Sequence, residues 1–205
     1  MPRPISIKDE TIIDAARAVF LERGFAATTA EVAERAGVSE GTLFNRFRSK
    51  AELFQAAMRP QLEALEWTSD LADRVGRGDI REQLVEIASA VAEFMRKLMP
   101  LMMMSWSNIG ASGLPPTLCQ PNPPPLRALR RLAAYFEAEI RLGRLRRCDP
   151  ELLARMLLGS VQQYVFFEVV MKASDELPLP LPTYLRGFVA VLIDGCGPDR
   201  SSSAE

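Results

Sequence analysis

Apolar residues recur along this chain at spacings of three and four, and no run alternates apolar with polar positions. Helical periodicity throughout predicts an all-α protein. Ile12, Ala16, Val19 and Phe20 share one face of a first helix from about Lys8 to Arg23, which Gly24 ends and against which Phe25 packs back. Val32, Ala33 and Ala36 line a second, short helix, and Leu43 and Phe47 form the inner side of a third. A connecting pattern runs from Ser49 to about Val75 but is interrupted by Pro60, whose ring removes a hydrogen bond and clashes with the preceding turn. Pro60 therefore either kinks one long helix or sits in the first turn of a new one. Ile80, Leu84, Ile87, Val91 and Phe94 predict a helix over about Asp79–Leu98, and Pro100 then opens a short one, Leu101 to about Ile109. Gly113 and six prolines make residues 113–125 a loop. Leu129, Leu132, Ala133 and Phe136 mark a helix over Leu126–Leu145. Asp149 as cap and Pro150 at the first helical position start the next, to about Lys172. After a Pro-rich hinge, Leu177–Pro182, the last helix covers Thr183–Asp194, which brings the expected number to nine.

The segment from Thr28 to Lys50 carries the sharpest local signals. Thr28 can cap the second helix while Glu31 reaches back to it, a capping box. Gly37 sits where that helix must stop, since it takes a left-handed conformation without a Cβ clash. Val38 would plug the corner and Ser39 would cap the third helix. Ala33, Gly37 and Leu43 then supply a small residue at the helix crossing, a turn glycine and an apolar anchor, the spacing of a helix-turn-helix.

The third helix has the side chains a duplex reader needs. Thr42, Asn45 and Arg46 are three and four apart and share one face, opposite Leu43 and Phe47. Asn pairs with adenine edges and Arg with guanine or phosphate. Gly41 permits close backbone approach, and Lys50, in the first turn after the Ser49 cap, would aim at a phosphate beside free backbone N–H groups.

From Thr11 to about Ala57 the chain resembles the N-terminal domain of the TetR family of bacterial transcriptional regulators, in IIDAARAVFLERGF (Ile12 to Phe25), TTAEVAERAGVS (Thr28 to Ser39), GTLFNRF (Gly41 to Phe47) and SKAELF (Ser49 to Phe54). The resemblance implies a three-helix DNA-binding domain, a connecting helix, a larger helical ligand and dimer domain, and usually repression. Carried over by position, Thr29 would touch phosphate at the start of the second helix. Glu40, Gly41, Thr42 and Asn45 would face bases, and Phe44, Arg46 and Lys50 would sit on backbone. Two positions depart from the pattern. The family usually has tyrosine where this chain has Phe44, which removes a phosphate hydrogen bond, and histidine or tyrosine where it has Arg46. Arg46 could restore that contact or read a guanine instead.

Composition narrows the alternatives. The chain is 48% hydrophobic, enough for a buried core, and its net charge is −1. Residues 1–60 carry a net charge of only +1, so DNA binding would rest on Arg46, Arg48 and Lys50, with a possible arm of Arg3 and Lys8, doubled by dimerisation. With no histidine, the commonest general base and metal ligand is missing. Cys119, Cys148 and Cys196 form no CxxC pair and, with no signal peptide, fit a reducing cytoplasm. No catalysis, cofactor, metal or membrane span is expected; even the apolar stretch Leu152–Met171 contains Arg155, Gln162, Gln163 and Glu168.

Two further surfaces are candidates. Met95, Met99, Met102, Met103 and Met104, near Trp106, form a Met-dense stretch suited either to gap-filling core or to an adaptable apolar pocket. An apolar or aromatic small-molecule effector would be contacted by Met102, Met103, Trp106, Phe136 and Tyr164. Leu157, Val161, Tyr164 and Val165 on one helix, with Leu185, Phe188, Val189 and Leu192 on the last, would form a four-helix homodimer interface, unless both stripes pack within the chain. The resulting expectation is a helix-turn-helix DNA-binding domain over 1–54 and a helical effector-binding and dimerisation domain over 55–200. The chain would be a ligand-responsive repressor on a palindromic double-stranded DNA operator. A helical small-molecule-binding protein and a constitutive DNA-binding adaptor are the alternatives.

Overall fold

The computed structural model describes residues 9–107 and 121–195, with their side chains except at Phe25, 58–64, 101 and 104–107. The possible arm of Arg3 and Lys8, Cys119, Cys196 and the Trp106 side chain lie outside the described set. Among the described residues there are nine α-helices and no strand. They are α1 (Asp9–Arg23), α2 (Thr29–Ala36), α3 (Glu40–Arg46), α4 (Lys50–Ala64), α5 (Leu71–Arg74), α6 (Ile80–Ser107), α7 (Pro124–Arg141), α8 (Pro150–Val165) and α9 (Leu181–Asp194).

Several expected boundaries fall elsewhere: the helices expected over Leu126–Leu145 and to about Lys172 are Pro124–Arg141 and Pro150–Val165, and two departures are larger. The helix expected to end at Leu98 and restart at Leu101 is one helix, α6, with Pro100 inside it. Leu98 and Met99 are buried on the near side of the proline, so packing holds a turn that has lost one backbone hydrogen bond. The connecting helix runs through Pro60 but stops at Ala64, well before Val75, because Leu65 adopts a left-handed conformation (φ 34°). Trp67 and Thr68 turn inward in the short 3₁₀ turn that follows. The count of nine is thus reached with α5 as a separate helix and α6 undivided.

The described residues group into two compact units, one from the stretches up to Leu65 and Arg96–Leu126, the other from Glu66–Met95 and the stretch from Arg127 onward. In the first, α1 packs against α2 and α4. Its core joins the expected stripes, Ile12, Ala16, Val19 and Phe20 with Val32, Ala36, Leu43 and Phe47, and adds Leu53, with Phe20 meeting Phe54 edge-on at 5.1 Å. In the second, α8 packs on α9, capped as expected by Asp149, whose carboxylate accepts from the N–H groups of Glu151 and Leu152 at 2.8 and 3.3 Å. A π-helical turn, Phe166–Val170, follows α8.

The second unit also buries a carboxylate. Glu139 continues the Leu132–Phe136 stripe of α7, is fully buried, and pairs with Arg144 at 2.7 Å. Its other oxygen accepts from the Gly76 N–H at 2.9 Å, while Arg144 donates to the Arg77 and Gly78 carbonyls, each at 2.9 Å. The pair thereby ties the end of α7 to the turn between α5 and α6. Burial, with Glu139 beside it, holds the Tyr135 phenol protonated far above its ordinary range.

Candidate nucleic-acid interface

The hairpin of α2 and α3 is built by local chemistry. Thr28 accepts from the Glu31 N–H at 3.2 Å while the Glu31 carboxylate accepts from the Thr28 N–H at 2.8 Å, the reciprocal bonds of a capping box. Gly37 ends α2 at φ 69°, where a side chain would be strained, and its N–H returns to Ala33 and Glu34. Val38 is half-buried against the core, and Ser39 accepts from the Thr42 N–H at 3.1 Å to start α3. Ser49 caps α4 in the same way, accepting from the Glu52 N–H at 3.1 Å, so Lys50 stands in a helical first turn whose N–H groups favour an anion.

On α3 the division of faces is complete. Leu43 is fully buried and Phe47 nearly so, whereas Glu40, Gly41, Thr42, Phe44, Asn45 and Arg46 are exposed. Asn45 and Arg46 therefore point into solvent, and Thr42 shares their face, its hydroxyl 2.9 Å from that of Ser39. Phe44 leaves an apolar ring 44% exposed beside them, a surface able to pack on a sugar or a thymine methyl. Thr29, in the first turn of α2, is half-buried, and so is Lys50.

Electrostatics are less one-sided than the basic residues suggest. Arg17 pairs with Asp14, Arg23 with Glu31, Arg35 with Glu22 and Arg46 with Asp9. The Arg35 guanidinium pulls the Glu22 carboxyl below its ordinary range, and the Thr28 N–H, followed by Arg23, does so for Glu31. Among the described residues Arg48 and Lys50 carry no ion pair. The Asp9–Arg46 contact was not anticipated, because no local pattern links residues 37 apart.

The candidate effector and dimer residues fare differently. Met102 and Met103 are half-buried and belong to the first unit. Phe136 and Tyr164 belong to the second, Phe136 fully buried with its ring edge-on to Tyr135 at 5.8 Å. Tyr164 lies 4.8 Å from the Tyr184 ring and donates its hydroxyl to the Leu179 carbonyl at 2.7 Å. Of the residues offered to a partner subunit, Leu157, Val161, Val165, Leu185, Val189 and Leu192 are buried within the single chain, and Tyr164 and Phe188 are half-buried. Those stripes are taken up by packing inside the protomer, so none of the six buried residues is presented to a second chain. The outward faces of the two helices carry Leu152, Met156 and Gly159 on α8 and Gly187, Ala190 and Val191 on α9. Among the described residues no cluster of His, Cys, Asp or Glu could hold a metal, and no helix is long and apolar enough to cross a membrane.

Comparison with known proteins adds to this geometry. Residues 12–57 match the model of the bacterial regulatory proteins of the tetR family, and residues 82–180 match that of the AefR-like transcriptional repressor C-terminal domain. The HTH-type transcriptional regulator TtgR of Pseudomonas putida is 42% identical over 69 residues, which span 33% of this chain and only 31% of that protein. Among solved structures, FadR from Bacillus subtilis in complex with stearoyl-CoA is 19% identical with a TM-score of 0.59, covering 93% of this chain and 100% of that one. The regulator PfmR from Thermus thermophilus is 20% identical with a TM-score of 0.60, covering 92% and 100%. These two likenesses extend over the whole fold.

Proposed function

Because the chain belongs to the TetR family of bacterial regulatory proteins, we propose that it is a ligand-responsive repressor that binds a palindromic DNA operator as a homodimer. The observation that carries this reading is the split of α3, with Leu43 and Phe47 inside and Thr42, Asn45 and Arg46 outside. A helix so divided presents a polar face of the right width to a major groove. Thr42 and Asn45 read base edges with Glu40 and Gly41 close to them, and Thr29, Phe44, Arg46 and Lys50 sit against the backbone. Residues 1–54 serve as the DNA-binding domain and residues 55–200 as the effector-binding and dimerisation domain.

A single half-site contacted by so short a helix binds weakly, which supports a dimer. Its surface is the outward face of α8 and α9. Gly159 and Gly187 sit mid-helix there, each with open space where a Cβ would stand, although glycine in a helix interior costs about 1 kcal/mol relative to alanine. Nothing in the protomer calls for either glycine; the close approach of a second backbone does. The effector is apolar or aromatic, and Met102 and Met103, half-buried on α6, are offered to it. The Met-dense stretch supports this, and a regulator of the same fold was crystallised with a long-chain acyl thioester, stearoyl-CoA. Effector binding has only to favour the non-binding spacing of the recognition helices by about 1–3 kcal/mol. Gel-shift titration against DNA upstream of the chain's own gene, with and without apolar ligands, tests the reading. A retarded complex released by such a ligand is expected; absence of any complex would overturn it.

A further inference from the structure

Of Arg46, Arg48 and Lys50, the described cations assigned to DNA above, Arg46 alone is in an ion pair. Its guanidinium is paired with the carboxylate of Asp9, from the first turn of α1, while Lys50 and the neighbouring Arg48 carry no ion pair among the described residues. The pairs Arg17–Asp14, Arg23–Glu31 and Arg35–Glu22 nearby involve no residue proposed to touch DNA. Both partners of the exceptional pair are open to solvent, with side chains 59% exposed at Asp9 and 37% at Arg46.

A carboxylate offers a guanidinium the same forked set of oxygen acceptors as a phosphate. We propose that Asp9 occupies the place of a DNA phosphate on Arg46 in the free protein and is displaced when duplex binds, so that Asp9 sets the affinity and salt dependence of the interface. The inference rests on the DNA-binding reading and concerns how that same surface is regulated. Exposed ion pairs are weak, so a phosphate can displace this one. The consequence lies in the ions exchanged with solution. An arginine that meets a phosphate releases a condensed counterion, and each such contact steepens the salt dependence by about 0.9. Here the displaced Asp9 keeps its negative charge beside the duplex, so the pair adds no net positive charge to the interface and that gain is offset. Arg46 therefore contributes contact geometry while adding little to non-specific electrostatic attraction, which favours matched over unmatched sequence in a domain with few free cations. Asp9 acts through Arg46 and is a positioning residue.

The test is fluorescence anisotropy of the full chain on a mixed-sequence duplex a few helical turns long, at salt concentrations from roughly 50 to 200 mM. Asp9→Asn should bind about two- to fivefold more tightly at the low-salt end, the range of an exposed ion pair, with a slope about one unit steeper per subunit. Asp9→Glu should behave as the parent. In an Arg46→Ala background, Asp9→Asn should change neither affinity nor slope, with far-ultraviolet circular dichroism confirming that α1 is intact. An unchanged slope in Asp9→Asn overturns the proposal, as does a gain that persists without Arg46, which would mark Asp9 as a general repulsive charge. Lys50→Ala distinguishes the two levels. If the parent binds duplex and Lys50→Ala weakens it while Asp9→Asn does nothing, the displacement fails and DNA binding stands; if the parent binds no duplex, both fail.

Discussion

The Thr29 hydroxyl donates to the Glu40 carboxylate at 2.8 Å, joining the first turn of α2 to the first turn of α3. One oxygen of Glu40 is thereby occupied and aligned, and the other is left toward solvent at the leading end of the proposed recognition helix. A carboxylate so placed accepts from a cytosine amino group and repels phosphate. Glu40→Ala should therefore relax preference at one base pair by about 1–3 kcal/mol while strengthening binding to unrelated DNA. Competition between an operator and its single-pair variants measures both effects, and a uniform change across all variants would remove Glu40 from base readout.

Asn45 and Lys50 are predicted to fail in different ways. Asn45→Ala removes a solvent-facing amide with a direct route to a base edge and should lose about 1–3 kcal/mol of discrimination at one position. Lys50→Ala removes a charge at a capped helix start and should weaken all sequences alike, flattening the salt slope by about one unit. Salt titrations on matched and unmatched duplexes separate the two signatures; identical behaviour of both variants would undo the division between reading and anchoring.

The proposed dimer surface gives a prediction in which monomer and dimer respond with opposite sign. Alanine at Gly159 or Gly187 meets no atom within 4 Å in the protomer and should stabilise an isolated helix by about 1 kcal/mol. Where two backbones meet closely the same methyl is in the way, and leucine more so. Gly159→Leu and Gly187→Leu should shift sedimentation toward monomer while leaving helicity intact. Leu157→Ala, by contrast, should damage the fold itself by about 2–5 kcal/mol, since that side chain is sealed within the protomer. Unchanged dimerisation in both leucine variants would place the interface elsewhere.

What could be read ahead of the structure was local. The Thr28–Glu31 box, the Gly37 corner, and the Ser39, Ser49 and Asp149 caps each depend on residues within a few positions, and all of them form. The core of the first unit was readable too, since helical stripes facing each other leave few ways to pair. Pro100 misled because its local cost is outweighed by burial at Leu98 and Met99, a tertiary effect. The α8 and α9 stripes showed that those faces are buried, but periodicity does not say by which chain. Asp9–Arg46 and Gly76–Glu139 join residues 37 and 63 apart, beyond any motif. Glu139 did leave a trace, as a carboxylate in register with Leu132 and Phe136.

Acidification should weaken the hairpin through Glu31. The Thr28 N–H and Arg23 hold its carboxyl below the ordinary range in the folded chain. A lowered folded pKa means that the stabilisation is fully present above the unfolded carboxylate value and is lost as pH falls through the folded one. Thermal midpoints of the parent and of Glu31→Gln should therefore differ at neutral pH and converge in acid. A constant difference at all pH values would assign the effect of Glu31 to shape instead of charge.

The strongest single effect on stability should come from Arg144. Its partner Glu139 is fully buried, and the Gly76 N–H satisfies only one of the two carboxylate oxygens. Removing one member of a buried pair strands the other charge, a loss of about 3–5 kcal/mol, whereas replacing both with apolar groups of similar size is often neutral. Arg144→Leu should thus lower the urea midpoint sharply, and Arg144→Leu combined with Glu139→Leu should recover much of the loss. Arg144 also holds the Arg77 and Gly78 carbonyls, so recovery should be incomplete, the remainder measuring the anchorage of the turn before α6. If the double variant were as unstable as the single one, the damage would come from the freed turn and not from the unpaired carboxylate.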